Sequence, residues 1–282
     1  MRCYSPVSIR DPVDSRHFIS VPCGKCFNCL STRRDSWSFR LQVEERHSSS
    51  SFFVTLTYSD DNVPYAWSDS HGIDMPVFSK RDCQLFMKRL RKLHPDAGLR
   101  YFLVSEYGGQ FGRPHYHMIL FNMPGFRYQI LEDLLRTWDK GIVHVGDVTQ
   151  ASIKYVCKYC LTYESAEDYP ERPFMLCSRR PAIGHQYLSK AVVKRFGTCP
   201  DYVIAEDGQK LSLPRYYRNK LSPSVHQKEL RKLRVDDIAK AKDRNYMKKY
   251  GSYDEVVINQ GKPSMAFQQI SARIDSIRKK MK

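Results

Sequence analysis

The feature that most constrains this chain is a pair of strand-like segments joined by a glycine-rich connection. Arg100–Glu106 and His115–Phe121 are built from aliphatic, aromatic and β-branched residues, and Tyr107-Gly-Gly-Gln-Phe-Gly-Arg-Pro114 between them suits a hairpin loop. A hairpin this apolar must be covered, so the flanking segments have to supply helices and further strands. Phe52–Tyr58 and Ile142–Val148 read as those strands. Ser31–His47, Ser79–Leu93, Tyr128–Asp139 and Ala151–Tyr163 read as helices. Helical spacing puts Cys83, Phe86, Leu90 and Leu93 on one face, and Leu131, Leu134, Leu135 and Trp138 are expected to point inward. The order, roughly α-β-α-ββ-α-β-α, is that of an α+β domain with an antiparallel sheet flanked by helices. This reading divides the chain into a cysteine-rich segment (1–30), a central domain (31–163) and a basic, largely helical C-terminal extension (164–282).

Composition narrows the function. Lys and Arg number 46 against 30 Asp and Glu, a net charge of +16, while 41% of the residues are hydrophobic. Such a chain has the apolar content for a core and a surface that favours a polyanion, most economically nucleic acid. Part of the surplus lies in Lys228–Tyr250, with nine basic residues against four acidic, and in Ile270–Lys282, with five against one. These are solvated helices or phosphate contacts. No run of about 18 apolar residues exists, so no membrane span is expected. Met1–Arg10 lacks the apolar core of a secretory signal, which leads to the expectation of a cytoplasmic protein.

In that setting nine cysteines are more naturally thiols or metal ligands than disulfides. Cys23, Cys26 and Cys29 follow one another at x₂ spacing, and Cys3 completes a set of four suited to a tetrahedral structural Zn²⁺. The alternative is a turn carrying reduced thiols. Cys157-x-x-Cys160 repeats the spacing but lies on the packing stripe of a helix, and reads as core.

The chemistry gathers in the middle of the chain. His115 and His117, two residues apart on a strand, project from one face. A hairpin through the glycine-rich loop brings Glu106 beside them, a three-ligand set for a divalent cation with open positions for substrate oxygens. On the following helix, with Ile153 at zero and about 100° per residue, Val156, Cys157 and Cys160 fall within about 60° of it. Tyr155 and Tyr159 fall near 200° and 240° and Lys158 near 140°, on the opposite side. A phenol has a pKa of about 10, so it becomes a nucleophile at neutral pH only beside cations that stabilise its anion. His144, in mid-strand, is expected to be held structurally, and Arg215, Tyr216 and Tyr217 suit either base stacking or surface packing.

In order and spacing, Phe53-Val-Thr-Leu-Thr-Tyr58, then Glu106 with His115-Tyr-His117, then Tyr155-x-x-Lys158-Tyr159 resemble the three motifs of the HUH endonucleases. Pro22-Cys-Gly-Lys-Cys-Phe-Asn-Cys29 and Ser178-Arg-Arg-Pro-Ala-Ile-Gly184 further resemble the replication initiators of microviruses of the gokushovirus type. The resemblance implies an HUH-like fold and site-specific nicking of single-stranded DNA at an origin of rolling-circle replication. It implies that His115, His117 and Glu106 hold Mg²⁺ or Mn²⁺, and that Tyr155 attacks the phosphodiester to leave a 5′-phosphotyrosine and a free 3′-OH. Tyr159 would receive the strand of the next round, Lys158 matches the lysine accompanying the tyrosine, and Arg179 and Arg180 would contact phosphate. The middle of the histidine motif is usually aliphatic; here Tyr116 adds a hydroxyl. The implied partners are single-stranded origin DNA and a host helicase and polymerase, in the cytoplasm of a bacterial host. No G-x-x-x-x-G-K-[ST] phosphate loop is present, in keeping with a transesterification that needs no nucleotide. Two other readings share parts of the pattern: a relaxase or transposase with the same motifs, and a zinc-stabilised, non-enzymatic nucleic-acid-binding regulator.

Overall fold

The structure is a computed structural model and describes residues 3, 5–11, 14–108, 112–158, 169–196, 202–206 and 208–221, with the single residues 237, 241 and 244. Along the chain run β1 (Val7–Arg10), β2 (Phe18–Val21), α1 (Phe27–Arg46), β3 (Ser51–Tyr58), β4 (Tyr65–Ser68), β5 (Ile73–Pro76), α2 (Lys80–Leu93), β6 (Arg100–Tyr107) and β7 (Pro114–Phe121). There follow α3 (Arg127–Trp138), β8 (Gly141–Asp147), α4 (Gln150–Lys158), β9 (Met175–Cys177), α5 (Lys190–Phe196), β10 (Tyr202–Ile204), β11 (Lys210–Ser212) and α6 (Arg215–Leu221). Met1–Ser189 with Ile204–Pro214 form one compact unit, and Lys190–Val203 with Arg215–Lys282 another. The expected basic stretches 228–250 and 270–282 lie outside the described residues apart from 237, 241 and 244.

The first unit is the α+β domain that the patterning implies. Its sheet has five strands in the order β8-β3-β7-β6-β9, every neighbouring pair antiparallel. Alternation along the strands divides the side chains between two faces. One face presents Val54, Leu56, Leu103, Tyr116, Met118 and Leu120 to a core shared with Phe86, Met87 and Leu90 of α2 and Ile130, Leu134 and Trp138 of α3. The other presents Phe102, Val104, Ile119 and Phe121 to Leu41 of α1 and Ile153, Val156 and Cys157 of α4. A sheet buried on both faces explains why its central strands are almost wholly apolar.

Two differences from the sequence reading concern packing. α3 turns Ile130 inward and leaves Leu131 and Leu135 exposed, at 36% and 43%. Its face is set by Trp138, whose Nε1 donates to the carbonyl of Thr57 at 3.1 Å. The sheet also continues past residue 163, because β9 adds a fifth strand beside β6.

Tyr116 places its hydroxyl inside the α2/α3 core. It accepts from the Ser79 N–H at 2.8 Å and lies 3.0 Å from the Tyr58 hydroxyl, which donates to Asp82 Oδ2 at 2.9 Å. Ser79 caps α2 by accepting from the Asp82 N–H. The extra hydroxyl between the two histidines thus ties β7 to the start of α2. Burial pushes both phenols well above their ordinary pKa, so they remain neutral hydrogen-bonding groups. At the other end of β3, Gly141 has φ +151 and a Cβ built there would stand 2.3 Å from the Ser59 nitrogen, so only glycine lets β8 approach β3.

Candidate active site

The site grows out of strand register. β6 and β7 pair with Glu106 opposite His115 and Val104 opposite His117. β7 and β3 pair with Thr57 opposite His115 and Thr55 opposite His117. Both histidines therefore lie on the face that carries α1 and α4, between a carboxylate on one neighbouring strand and two hydroxyls on the other. Glu106 reaches diagonally: its Oε2 is 2.9 Å from His117 Nε2. Thr55 Oγ1 lies 3.1 Å from His117 Nδ1, and Thr57 Oγ1 lies 3.0 Å from His115 Nδ1.

That pairing has a chemical consequence. When each Nδ1–H donates to its threonine, each Nε2 keeps a lone pair, the form in which imidazole binds a metal. Burial, then the proximity of His117, holds His115 below the ordinary imidazole pKa, which favours the same neutral form. Gly108 completes the surround. A Cβ built there would stand 2.8 Å from His115 Nε2, so the glycine leaves space at that nitrogen. The turn is closed by the Gly108 N–H donating to the Arg113 carbonyl at 2.9 Å. Two imidazoles and a carboxylate fit a divalent cation that accepts nitrogen and oxygen. Among the described residues, however, the group of three or more such side chains whose donor atoms all lie within 4.8 Å of one another is the cysteine set. In the histidine site, Glu106 and His117 are joined by a hydrogen bond and His115 stands farther off.

α4 brings Tyr155 over this site. Ile153, Val156 and Cys157 are buried against the sheet, as the helical spacing implies, and Tyr155 is 40% exposed. Its ring is edge-on to His117, with centroids 5.3 Å apart, and edge-on to Phe53 at 6.1 Å, while Phe53 stacks on His117 at 5.7 Å. Lys158 ends the helix. Tyr159 and Cys160 lie outside the described residues, as does Cys199.

Several residues are missing from the sequence reading. Thr55 and Thr57 look there like ordinary strand formers, and only register gives them the histidine contacts. His144 is exposed rather than held in a structural contact, and its position opposite Thr55 puts it on the same face as His117. Arg113, next to the site, donates to the Tyr58 carbonyl at 3.0 Å and pairs with Asp60.

Arg179 and Arg180 stand elsewhere. Both are exposed and help line a cleft of about 880 Å³ with Arg91, Arg100 and Tyr101. Arg100 and Tyr101 open β6 and Glu106 lies near its far end, roughly 20 Å away at the rise of an extended strand. In the second unit, Tyr216 is tilted against the buried Tyr217, with ring centroids 5.3 Å apart.

Comparison with known proteins gives the chain a replicative setting. Residues 51–164, which span β3 through α4, match the family described as replication-associated protein ORF2. The replication-associated protein ORF2 of Spiroplasma virus 4 is 31% identical over 225 residues, covering 72% of this chain and 68% of that protein. The replication-associated protein VP4 of Bdellovibrio phage phiMH2K is 28% identical, covering 71% and 67%, and ORF4 of Chlamydia phage 1 is 26% identical, covering 73% and 54%. Among solved structures, the N-terminal nuclease domain of the minute virus of mice non-structural protein-1 is a distant match at 10% identity and a TM-score of 0.20, covering 63% of this chain and 88% of that one. The chain belongs to the family of replication-associated protein ORF2, among the replication proteins of microviruses.

Proposed function

We propose that this protein nicks single-stranded DNA at a replication origin and holds the cut end covalently on Tyr155. The observation that carries the reading is the position of that phenol, edge-on to His117 on the side of the sheet where Glu106 and the two histidines converge. Family membership supports the replicative setting.

In this reading His115, His117 and Glu106 hold Mg²⁺ or Mn²⁺ once the hydrogen bond between Glu106 and His117 opens. The bound ion supplies Lewis-acid polarisation of the scissile phosphate and stabilises charge on its oxygens. The protein does the rest. Thr55 and Thr57 fix the imidazole orientation, and α4 presents Tyr155 Oη, with Lys158 at the end of the same helix to balance negative charge. The Tyr155 oxygen bonds to phosphorus as the P–O3′ bond breaks. The phenol proton passes to solvent, the departing 3′ oxygen takes one up, and a 5′-phosphotyrosine and a 3′-OH primer remain. Because one phosphodiester replaces another, rejoining needs no nucleotide. Tyr159 would accept the strand of the next round, and a host helicase and polymerase would open and copy the duplex in the bacterial cytoplasm.

Incubation with Mn²⁺ and single-stranded fragments tiling the phage genome is the test. A protease-resistant protein–DNA adduct on one fragment is expected, and His117→Ala should remove it while leaving DNA retention in place. Binding without an adduct on any fragment would favour the regulator reading.

Two further outcomes follow from the geometry. Gly108→Ala pushes a methyl group against His115 Nε2. Metal-dependent nicking should fall roughly 100-fold, the effect of misplacing a reacting group by about 1 Å, with little change in thermal stability. Arg179→Ala and Arg180→Ala should each lower the slope of log K against log salt by about 1 if they contact phosphate. An unchanged slope in filter binding would remove both from the DNA path.

A further inference from the structure

The N-terminal segment holds a second constellation that the nicking reading does not use. Cys3, Cys23, Cys26 and Cys29 turn their sulfurs toward one point, all four Sγ atoms lying within 4.8 Å of one another. Cys26 Sγ is 3.8 Å from Cys3 Sγ, and Cys23 Sγ is 4.0 Å from Cys29 Sγ. The sulfurs are not joined in disulfides, being much farther apart than the roughly 2.05 Å of such a bond. Four sulfurs bound tetrahedrally at about 2.3 Å from an ion stand roughly 3.8 Å apart, which is the spacing found here. Two backbone groups already point at sulfur: the Cys23 N–H donates to Cys3 Sγ at 3.2 Å, and the Cys26 N–H donates to Cys23 Sγ at 3.3 Å. Such bonds favour thiolate, the ligating form.

The local architecture gives the cluster a task. β1 and β2, between Cys3 and Cys23, form a separate two-stranded ribbon, and all four residues of β1 are exposed. A lone hairpin with no buried face is marginal in water, so it must be fastened at its ends. Cys26 immediately precedes α1 and Cys29 lies in its first turn, which holds no acidic residue. Four thiolates around a divalent ion carry a net charge of about −2, which is favourable beside the positive end of a helix dipole.

We infer that Cys3, Cys23, Cys26 and Cys29 bind one zinc ion in a closed structural site that fastens the β1–β2 ribbon to the start of α1. Sulfur ligation selects zinc over the hard cations suited to Glu106 and the histidines, so the chain carries two metal sites of different chemistry. Four protein ligands leave no open position, so the ion orders the chain and takes no part in nicking. The inference stands whether or not the protein cuts DNA. Its reach into the domain runs through α1, whose Leu41 packs in the same apolar cluster as Ile153, Val156 and Cys157 of the helix carrying Tyr155.

The test uses the full-length chain. Elemental analysis after dialysis should find about one zinc per chain. Exchange with Co²⁺ should give the intense visible bands and thiolate-to-cobalt charge transfer of a tetrahedral sulfur site. Cys29→Ser should bring zinc below about 0.1 per chain, while Cys177→Ser, a thiol outside the cluster, should leave it unchanged. His117→Ala should keep the cobalt spectrum. A zinc-treated native chain that dialyses free of metal, a cobalt complex without thiolate charge transfer, or loss of the bands in His117→Ala would each overturn the inference. Should Cys29→Ser fail to fold, the spectrum of the native chain decides by itself.

Discussion

Tyr155→Phe is expected to abolish the covalent DNA adduct and lower origin nicking by at least about 1,000-fold, some 4 kcal/mol of transition-state stabilisation. The substitution removes one oxygen and leaves the ring, so its edge-on contacts with His117 and Phe53 persist and the fold should not register the change. Binding of single-stranded DNA, governed by phosphate contacts across a chain of net charge +16, should stay within about twofold of the native value at fixed salt. Tyr159→Phe should spare the first cut and hinder turnover. The reverse pattern, with Tyr159→Phe alone stopping the first cut, would exchange the two roles. Equal retention of nicking in both variants would remove phenol chemistry from the account.

The largest effect on stability is expected at Glu44, far from the reacting groups. Its side chain is fully buried on α1, where the carboxylate pairs with Arg100 and accepts from the Gly184 N–H at 2.6 Å. Arg100 is itself only 12% exposed and donates to the Pro181 carbonyl at 3.0 Å. Glu44→Ala leaves a guanidinium and a backbone N–H with their partner gone and little water to replace it. Removing one member of such a pair costs about 3–5 kcal/mol. At about 2–4 °C per kcal/mol for a unit of this size, the midpoint of thermal unfolding should fall by roughly 10 °C. Replacing both residues, Glu44→Met with Arg100→Met, should recover most of that loss, because the cost lies in the orphaned charge. A shift under about 1 °C for Glu44→Ala in a circular-dichroism melt would contradict the structure at that position.

How much of this was legible beforehand depends on the range of the signal. The hairpin was legible because period-two alternation and a glycine-rich turn are local, and with it came Glu106 beside the histidines. The helical stripe of α4 was legible for the same reason: Ile153, Val156 and Cys157 fix the buried side and leave Tyr155 opposite. α3 was ambiguous, since Ile130, Leu131, Leu134, Leu135 and Trp138 make an apolar band wide enough to pack in two rotations. The choice was made by a hydrogen bond from Trp138 to a strand 81 residues away. β9 has three residues and no period to detect. Glu44 stands beside Glu45 in a helix and looks like any surface acid until Arg100 arrives from 56 positions downstream. Thr55, Thr57 and His144 gain their place at the site only from register, which no short window reveals.

The most direct test of the central claim is to locate the linkage. The adduct formed with Mn²⁺ and the cleaved fragment is digested with nuclease and trypsin, and the nucleotide-bearing peptide is sequenced by mass spectrometry. Trypsin cuts after Lys154 and after Lys158, so Tyr155 and Tyr159 emerge in different peptides. The account predicts the phosphonucleotide on Tyr155, in Tyr155-Val-Cys-Lys158. A first-round adduct on any other residue would contradict it.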